Sequence, residues 1–120
     1  MSNDLNTALG YHQRGLLDQA VPIYQALLAQ NPNHADALHL LGVVALQRGH
    51  PARAVEHIGR AVTLNPGVAA YQANLAEAYR ALGQHERAVE CCRLALGLRP
   101  HFPEVANNLG NALRLRGDKA

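Results

Sequence analysis

Apolar and small residues follow one another at intervals of three and four along most of the chain. In the stretch that begins at residue 35, Leu38, Leu41, Gly42 and Ala45 are spaced in this way. Successive residues of an α-helix are rotated by about 100°, so these four side chains lie on one face of a helix. The pattern predicts amphipathic helices that pack against one another. Seven helices are expected, at about residues 3–14, 18–30, 35–48, 52–64, 69–82, 86–98 and 103–116.

Several residue types recur every 34 positions. The clearest row is Gly15, Gly49, Gly83 and Gly117. The other rows with this period are Pro32, Pro66 and Pro100, Ala20, Ala54 and Ala88, Val21, Val55 and Val89, and Leu41, Leu75 and Leu109. Five rows in one register are hard to obtain by chance, so the chain is predicted to be an array of internal repeats.

Glycine and proline divide each repeat into two helices. A glycine at the fifteenth place can end the first helix because it adopts the left-handed backbone conformation at little cost. A proline at the thirty-second place cannot continue the second helix, because its ring blocks the helical hydrogen bond. Each repeat is therefore predicted to be a helix-turn-helix pair.

A 34-residue helix-turn-helix unit with these residues at these places resembles the tetratricopeptide repeat. The resemblance covers the whole chain and implies an all-α fold, a right-handed α-solenoid of antiparallel helix pairs. Three full units are expected at 1–34, 35–68 and 69–102, followed by the first helix of a fourth at 103–120, all in one domain. Because the fourth unit lacks a second helix, we expect the chain to be a fragment of a longer protein. The large aromatic residue that the family favours early in the first helix is replaced by Asp4, Leu38, Gln72 and Ala106.

Charge and hydropathy narrow the range of partners. The chain has 11 basic and 9 acidic residues and a formal charge of +2, with no basic run that could follow a phosphate backbone. Nucleic-acid binding is therefore not expected. The start has no secretion signal, and no apolar run has membrane-spanning length. We expect a cytoplasmic location and no membrane partner.

No catalytic, metal or cofactor site is predicted. Cys91 and Cys92 are neighbours that point about 100° apart on a helix, so they form neither a disulfide framework nor a metal-binding pair. Cys92 falls in a row of core positions. The 7 His residues lack the spacing of two metal ligands on one helix. No nucleophile, base and orienting group fall into a recognisable arrangement, so the chain is predicted not to be an enzyme.

The first helix of each unit has a second face, opposite the face that packs on its partner. In tetratricopeptide proteins the stacked first helices line a concave groove that binds extended peptides or helices, and the resemblance implies the same use here. The candidate groove residues are Asn6, Leu9, His39, Leu40, Val43, Asn74, Glu77, Arg80, Asn108, Asn111 and Arg114. Leu5, His12, Leu46 and Asn107 fall on the same face.

The predicted groove changes character along its length. Its first half is aliphatic, whereas its second half carries amides and the guanidinium groups of Arg80 and Arg114. These groups can bind carboxylates or backbone carbonyls, so a segment with an apolar anchor and an acidic or amide-rich stretch is expected to match. A conserved basic clamp of chaperone-binding relatives requires Lys and Asn where this chain has Leu5 and Leu9. Binding of chaperone tails by that clamp is therefore not expected.

Asparagines recur at the sixth place of three units, as Asn6, Asn74 and Asn108, and Leu40 interrupts the row. Similar rows in O-linked N-acetylglucosamine transferases hold the main chain of a peptide. An amide both donates and accepts a hydrogen bond, so it can hold a backbone without reading its sequence. The alternative is that these amides are solvated or contact the preceding repeat.

Two further features predict association. Leu5, Leu9, Leu40, Val43 and Leu46 form an aliphatic stripe, which a peptide, a second copy of the chain or tight superhelical curvature would cover. At the other end, Leu109 and Leu113 are expected to lack a packing partner, which predicts self-association through the truncated end.

The leading functional hypothesis is a protein-interaction scaffold that binds a peptide or partner protein in the concave groove. The alternative is a substrate-recruiting amino-terminal arm of a larger enzyme, such as a glycosyltransferase or a sulfotransferase.

Overall fold

The chain folds into antiparallel helix pairs that follow one another along its length. The computed structural model describes residues 4–117, and this range contains seven α-helices and no strand. The helices are α1 (Leu5–Gln13), α2 (Leu17–Gln30), α3 (Ala35–Gln47), α4 (Pro51–Leu64), α5 (Ala69–Ala81), α6 (His85–Leu98) and α7 (Pro103–Arg116). The predicted helices are confirmed, and their ends differ from the prediction by about two residues at most. Residues 1–3 and 118–120, which include the predicted start of the first helix and the end of the fourth unit, lie outside the described residues.

The turns use the residues that the repeat pattern singles out. Gly15, Gly49 and Gly83 have φ angles of 76°, 79° and 75°, so each adopts the left-handed conformation directly after a first helix. The second helices end before a proline, and the preceding residue has left the helical region, as Asn31 shows with φ −140° and ψ 95°. Steric conflict with the proline ring disfavours the helical conformation at that residue.

Close packing within a unit depends on a small residue at the eighth place of the first helix. In the second unit this residue is Gly42, and a Cβ atom placed there would lie 2.4 Å from Cγ1 of Ile58. Ile58 is fully buried, as are Ala8 and Tyr24 at the equivalent places of the first unit. A small residue on α3 thus allows α4 to approach, as the spacing predicts.

The hydrophobic core extends along the array and is not concentrated at its centre. Successive helices pack against each other, and α3 also contacts α5. The principal extents are 53 × 26 × 22 Å, as expected of a solenoid in which each unit contacts its neighbours. Cys91 and Cys92 are free and buried in the central cluster, which confirms the core position of Cys92.

One packing prediction for the last helix is wrong. Leu109 and Leu113 do not lack partners, because both pack against a cluster formed by Ala88, Val89 and Ala112. The second helix of the third unit thus covers part of α7.

Candidate peptide-binding groove

Side-chain hydrogen bonds join the first helices of successive units. Each bond links a residue of one first helix to a residue on the next, so α1, α3, α5 and α7 are joined in order along the array. The pairs are His12 Nε2 with Gln47 Oε1 at 2.8 Å, His39 Nε2 with Asn74 Nδ2 at 2.8 Å, and Glu77 Oε1 with Asn108 Nδ2 at 3.0 Å. The stacked arrangement that the repeat predicts is therefore present.

A pocket of about 420 Å³ opens on this face between α5 and α7. Three of its residues, Asn74, Glu77 and Asn108, are predicted groove residues. The complete lining is Ala70, Ala73, Asn74, Glu77, Phe102, Glu104, Val105, Asn107 and Asn108. Its volume lies in the range of small-ligand sites, so one or two side chains of a bound segment would fit.

The amides of the pocket retain hydrogen-bonding capacity. Asn74 and Asn108 each use Nδ2 in one hydrogen bond to the preceding unit. An asparagine side chain has two donors and an acceptor oxygen, so each of them can still accept one bond and donate another. The contact with the preceding repeat is therefore present at Asn74 and Asn108, and binding of a main chain by the same amides stays a prediction.

The charges of the pocket differ from the prediction. Its lining includes the carboxylates of Glu77 and Glu104 and no basic side chain. Arg80, which was expected to attract an acidic ligand, instead pairs with Glu77 at 3.0 Å. Arg114 donates to Asn111 Oδ1. The guanidinium groups are thus engaged by neighbours on their own helices, and the expectation of an acidic ligand stretch is not supported here.

His39 is a predicted groove residue that the structure withdraws from the surface. Its ring is only 9% exposed, lies 4.6 Å from the ring of Tyr71 between centroids, and contacts Asn74. Burial lowers the pKa of His39 to about 4, although Asp36 opposes this shift. The prediction of a ligand contact at His39 is therefore wrong. The neutral ring instead accepts a hydrogen bond from Nδ2 of Asn74.

The aliphatic stripe is less open than the sequence predicts. All five of its residues are half-buried. Leu5 and Leu40 pack against the core of the first unit, and Leu46 packs against the central cluster. Packing within the chain therefore covers part of the surface of Leu5, Leu40 and Leu46, and the three covers considered above stay predictions. Leu9 and Val43 are half-buried on the same face, and Asn6 is exposed on α1.

The sequence analysis did not name five of the nine pocket residues, and two of these, Glu104 and Phe102, have a charged or an aromatic side chain. Glu104 stands at the second place of the fourth unit, which is a groove position, so the period alone could have found it. Phe102 lies in the turn before α7, where helical periodicity gives no signal. The guanidinium carbon of Arg99 lies 4.4 Å from the centre of the Phe102 ring, which also packs against the central cluster.

Neither cysteine has the properties of a reactive thiol. Burial raises the pKa of Cys91 to about 11, and burial also raises the pKa of Cys92. A thiol with a raised pKa is a poor nucleophile at neutral pH. Within residues 4–117, no group of three or more His, Cys, Asp or Glu side chains is placed to hold a metal ion.

The repeat geometry agrees with a family model described as tetratricopeptide repeat, which matches residues 5–67 and again residues 39–103. The chain belongs to the tetratricopeptide repeat family. Like other members of this family, it is an all-α protein-interaction scaffold. No helix in the described part of this tetratricopeptide chain is both long and apolar enough to cross a membrane.

Individual relatives agree with this assignment. The chain is 33% identical over 79 residues to the small glutamine-rich tetratricopeptide repeat-containing protein 2 of Mycosarcoma maydis, a match that covers 66% of this chain and 22% of the relative. It is also 32% identical over 94 residues to a heat-shock protein cognate co-chaperone, sgt12, of Aspergillus fumigatus, covering 73% of this chain and 28% of the relative. The tetratricopeptide chain therefore spans about a quarter of the length of these curated relatives.

Solved structures show the same fold. A mutant O-GlcNAc transferase from Thermobaculum terrenum superposes with a TM-score of 0.85 at 33% identity, covering 88% of this chain and 20% of the transferase. The first tetratricopeptide domain of Spaghetti (RPAP3), solved with the HSP90 peptide SRMEEVD, superposes with a TM-score of 0.89 at 20% identity, covering 94% of this chain and 92% of that domain. The second likeness is one of fold alone.

Proposed function

We propose that this chain binds an extended peptide segment on its concave face, with the pocket between α5 and α7 as the principal contact. The observation that carries the proposal is the presence of Asn74, Asn108, Glu77 and Glu104 around one pocket next to the ring of Phe102. Asn74 and Asn108 would hold the main chain of the segment through their free amide groups. Phe102 would contact an apolar or cationic side chain.

The two carboxylates indicate the chemistry of the preferred segment. A carboxylate accepts hydrogen bonds and repels an acidic side chain, so a segment with backbone N–H groups or a Lys or Arg side chain at this point is favoured over an acidic one. The HSP90 peptide SRMEEVD, which Spaghetti (RPAP3) binds, is acidic at its end. This chain has Leu5 and Leu9 where a basic clamp would stand, so we do not propose that it binds that tail.

The test begins with selection of peptides from a random display library on the whole chain. The affinity of an enriched peptide is then measured by fluorescence anisotropy against a double variant, Asn74→Ala with Asn108→Ala. We expect a loss of at least about tenfold, because each amide would contribute a hydrogen bond to the bound main chain. Asn65→Ala, at an exposed residue after α4, is the matched control and should bind like the unmodified chain.

Unchanged affinity of the double variant, with helicity equal to that of the unmodified chain, would place the binding surface elsewhere and overturn the proposal. Glu104→Gln provides a second readout. Its carboxylate is exposed in the first turn of α7, so its loss should weaken the binding of basic peptides and lower stability by at most about 1 kcal/mol.

A second candidate function is the substrate-recruiting arm of a larger enzyme. The match to the Thermobaculum terrenum O-GlcNAc transferase, at 33% identity over 88% of this chain, favours it. In that case the peptide held by the groove would be a substrate, and the residues of this chain would still carry out no chemistry themselves. The coding sequence beyond Ala120 tests this candidate, since it requires a catalytic domain to follow.

Two further properties complete the proposal. A cytoplasmic location is supported by the free cysteines Cys91 and Cys92, which are typical of a reducing compartment.

Self-association through α7 is supported by Leu115, whose side chain is 59% exposed. Light scattering at high concentration tests it, and a mass that stays monomeric would contradict it.

A further inference from the structure

A second pocket, of about 340 Å³, lies between α2, α3 and α4. It is lined by Leu41 and Val44 of α3 and by Arg48 at the C-terminal end of that helix. The groove involves other positions of the same helix, such as Leu40 and Val43. The two pockets share no residue. The second pocket is therefore a separate site, and the proposed peptide groove does not account for it.

The lining of this pocket is apolar inside and cationic at its edge. Val21, Leu41 and Val44 are buried or half-buried and supply the apolar wall. The polar part consists of Gln25, Arg48, His50, Arg53 and His57, and no acidic side chain lines the pocket. Arg48, His50 and Arg53 are exposed, so their charged or polar ends lie at the mouth.

This combination occurs in one repeat only. Arg48, His50, Arg53 and His57 belong to the second unit, and the helical pattern of the repeat does not require any of them. At the equivalent places the third unit has Leu82, Gln84, Arg87 and Cys91, and the first unit has Arg14, Leu16, Gln19 and Ile23. The basic pocket is thus a specific feature of the second unit and not a consequence of the fold.

The basic groups at the mouth have two acidic neighbours, Glu56 and Asp18. Burial lowers the pKa of His57, and Arg60 and Arg53 shift it in the same direction, against the effect of Glu56. Arg48 already binds one carboxylate, since its Nη2 lies 2.6 Å from Oδ1 of Asp18. The Asp18 side chain is 93% exposed, so this is a surface ion pair of small net strength that another carboxylate can displace.

We propose that this pocket binds an aliphatic carboxylate, with its chain against Val21, Leu41 and Val44 and its carboxylate at Arg53 and Arg48. Guanidinium groups match the planar geometry of a carboxylate, and apolar walls favour the aliphatic part. The same chemistry is present in a free aliphatic acid and in the terminal residue of a polypeptide that ends in leucine. The pocket volume suits either one.

Isothermal titration calorimetry with four probes tests the site and its source. Octanoate and octanamide differ only in charge at the head group, as do N-acetyl-alanyl-leucine and its C-terminal amide. We expect saturable binding of at least one acid and at least about tenfold weaker binding of the matching amide. Preference for octanoate indicates a free acid, and preference for the dipeptide acid indicates a chain terminus.

Three variants locate the binding. Arg53→Gln should lower the affinity for the acid by about tenfold, because it removes a charged partner of the carboxylate. Arg87→Gln, at the equivalent place of the third unit, is the matched control and should have no effect. Asp18→Asn should strengthen binding by about threefold, because it frees Arg48 and removes a competing charge.

The proposal is overturned if neither acid binds saturably, or if each acid binds no better than its amide. It is also overturned if Arg53→Gln and Arg87→Gln weaken binding equally while both variants keep the helicity of the unmodified chain. The strengthened binding of Asp18→Asn keeps the test independent of folding defects, since a damaged pocket would not bind more tightly.

Discussion

The second and third units have the same backbone plan but use their side chains differently. At the fourth place, the second unit buries Leu38 completely, whereas the third buries Gln72, whose Oε1 has no hydrogen-bond partner within residues 4–117. At the eighth place, Gly42 fits tightly against Ile58, whereas the third unit has Ala76. At these two places the second unit is therefore apolar and closely packed, while the third unit buries a polar side chain at the fourth place.

The groove positions show the opposite distribution. The second unit places Leu40 and Val43 on the concave face, where both are half-buried, whereas the third places Asn74 and Glu77 there, around an open pocket. The comparison shows that the residues required by the repeat determine only the helices. Positions outside that set are free to serve stability in one unit and binding in the next.

The largest effect is expected from Gly42→Ala. The new Cβ atom would meet Cγ1 of Ile58 at 2.4 Å, and the side chain of Ile58 is fully buried, so it must shift within the core. Overpacking should lower the free energy of unfolding by about 3 kcal/mol, and the better helix propensity of alanine should restore about 1 kcal/mol. The expected net loss of stability is about 2 kcal/mol. Urea unfolding followed by circular dichroism measures it.

Gly110 provides the matched control because it stands at the same place of the fourth unit. A Cβ atom there would meet nothing within 4 Å, so Gly110→Ala should stabilise the chain by about 1 kcal/mol. Equal effects of the two substitutions would contradict the claim that the second unit is the tightly packed one.

The next effect concerns pH, because burial lowers the pKa of His39 to about 4. Below the ordinary pKa of about 6.5, the unfolded chain binds a proton at this residue that the folded chain does not. Stability is therefore lost as the pH falls from about 6.5 towards 4, and we expect this residue to account for about 2 kcal/mol between pH 7 and pH 5. Urea unfolding at the two pH values measures the loss.

The comparison supplies the variant for this test, since the third unit has Ala73 where the second has His39. His39→Ala should lower stability at pH 7 but reduce its pH dependence. His57, whose pKa is also lowered, contributes equally to both proteins. An unchanged pH dependence in His39→Ala would show that His39 is not buried in neutral form.

The smallest effect is expected from Gln72→Leu, which gives the third unit an apolar fourth place like that of the second. The substitution removes a buried oxygen that has no hydrogen-bond partner among the described residues. Removing such a group should stabilise the chain by about 1 kcal/mol, which corresponds to a rise in melting temperature of about 4 °C. A lower melting temperature would indicate that the amide has a structural partner.

The sequence predicts the helices and turns of this chain well because their causes are local. The left-handed glycines and the prolines after the second helices act within a few residues, and their effect is visible in the 34-residue period. Side-chain partners across units are a different matter. The bond between His39 and Asn74 depends on distances between separate helices, which no spacing along the chain specifies. Arg80 is the opposite case, because its partner Glu77 lies three residues earlier on the same helix, a spacing that is visible in the sequence.

Nuclear magnetic resonance of the side-chain amides tests the central claim, that the polar groove of the third unit is the binding surface. The ¹⁵N-labelled chain is titrated with a peptide selected by display, and the amide signals of asparagine are followed. The account predicts shifts at Asn74, Asn107 and Asn108, with none at Asn31 or Asn65. Shifts confined to other asparagines, or to the backbone of the second unit, would contradict it.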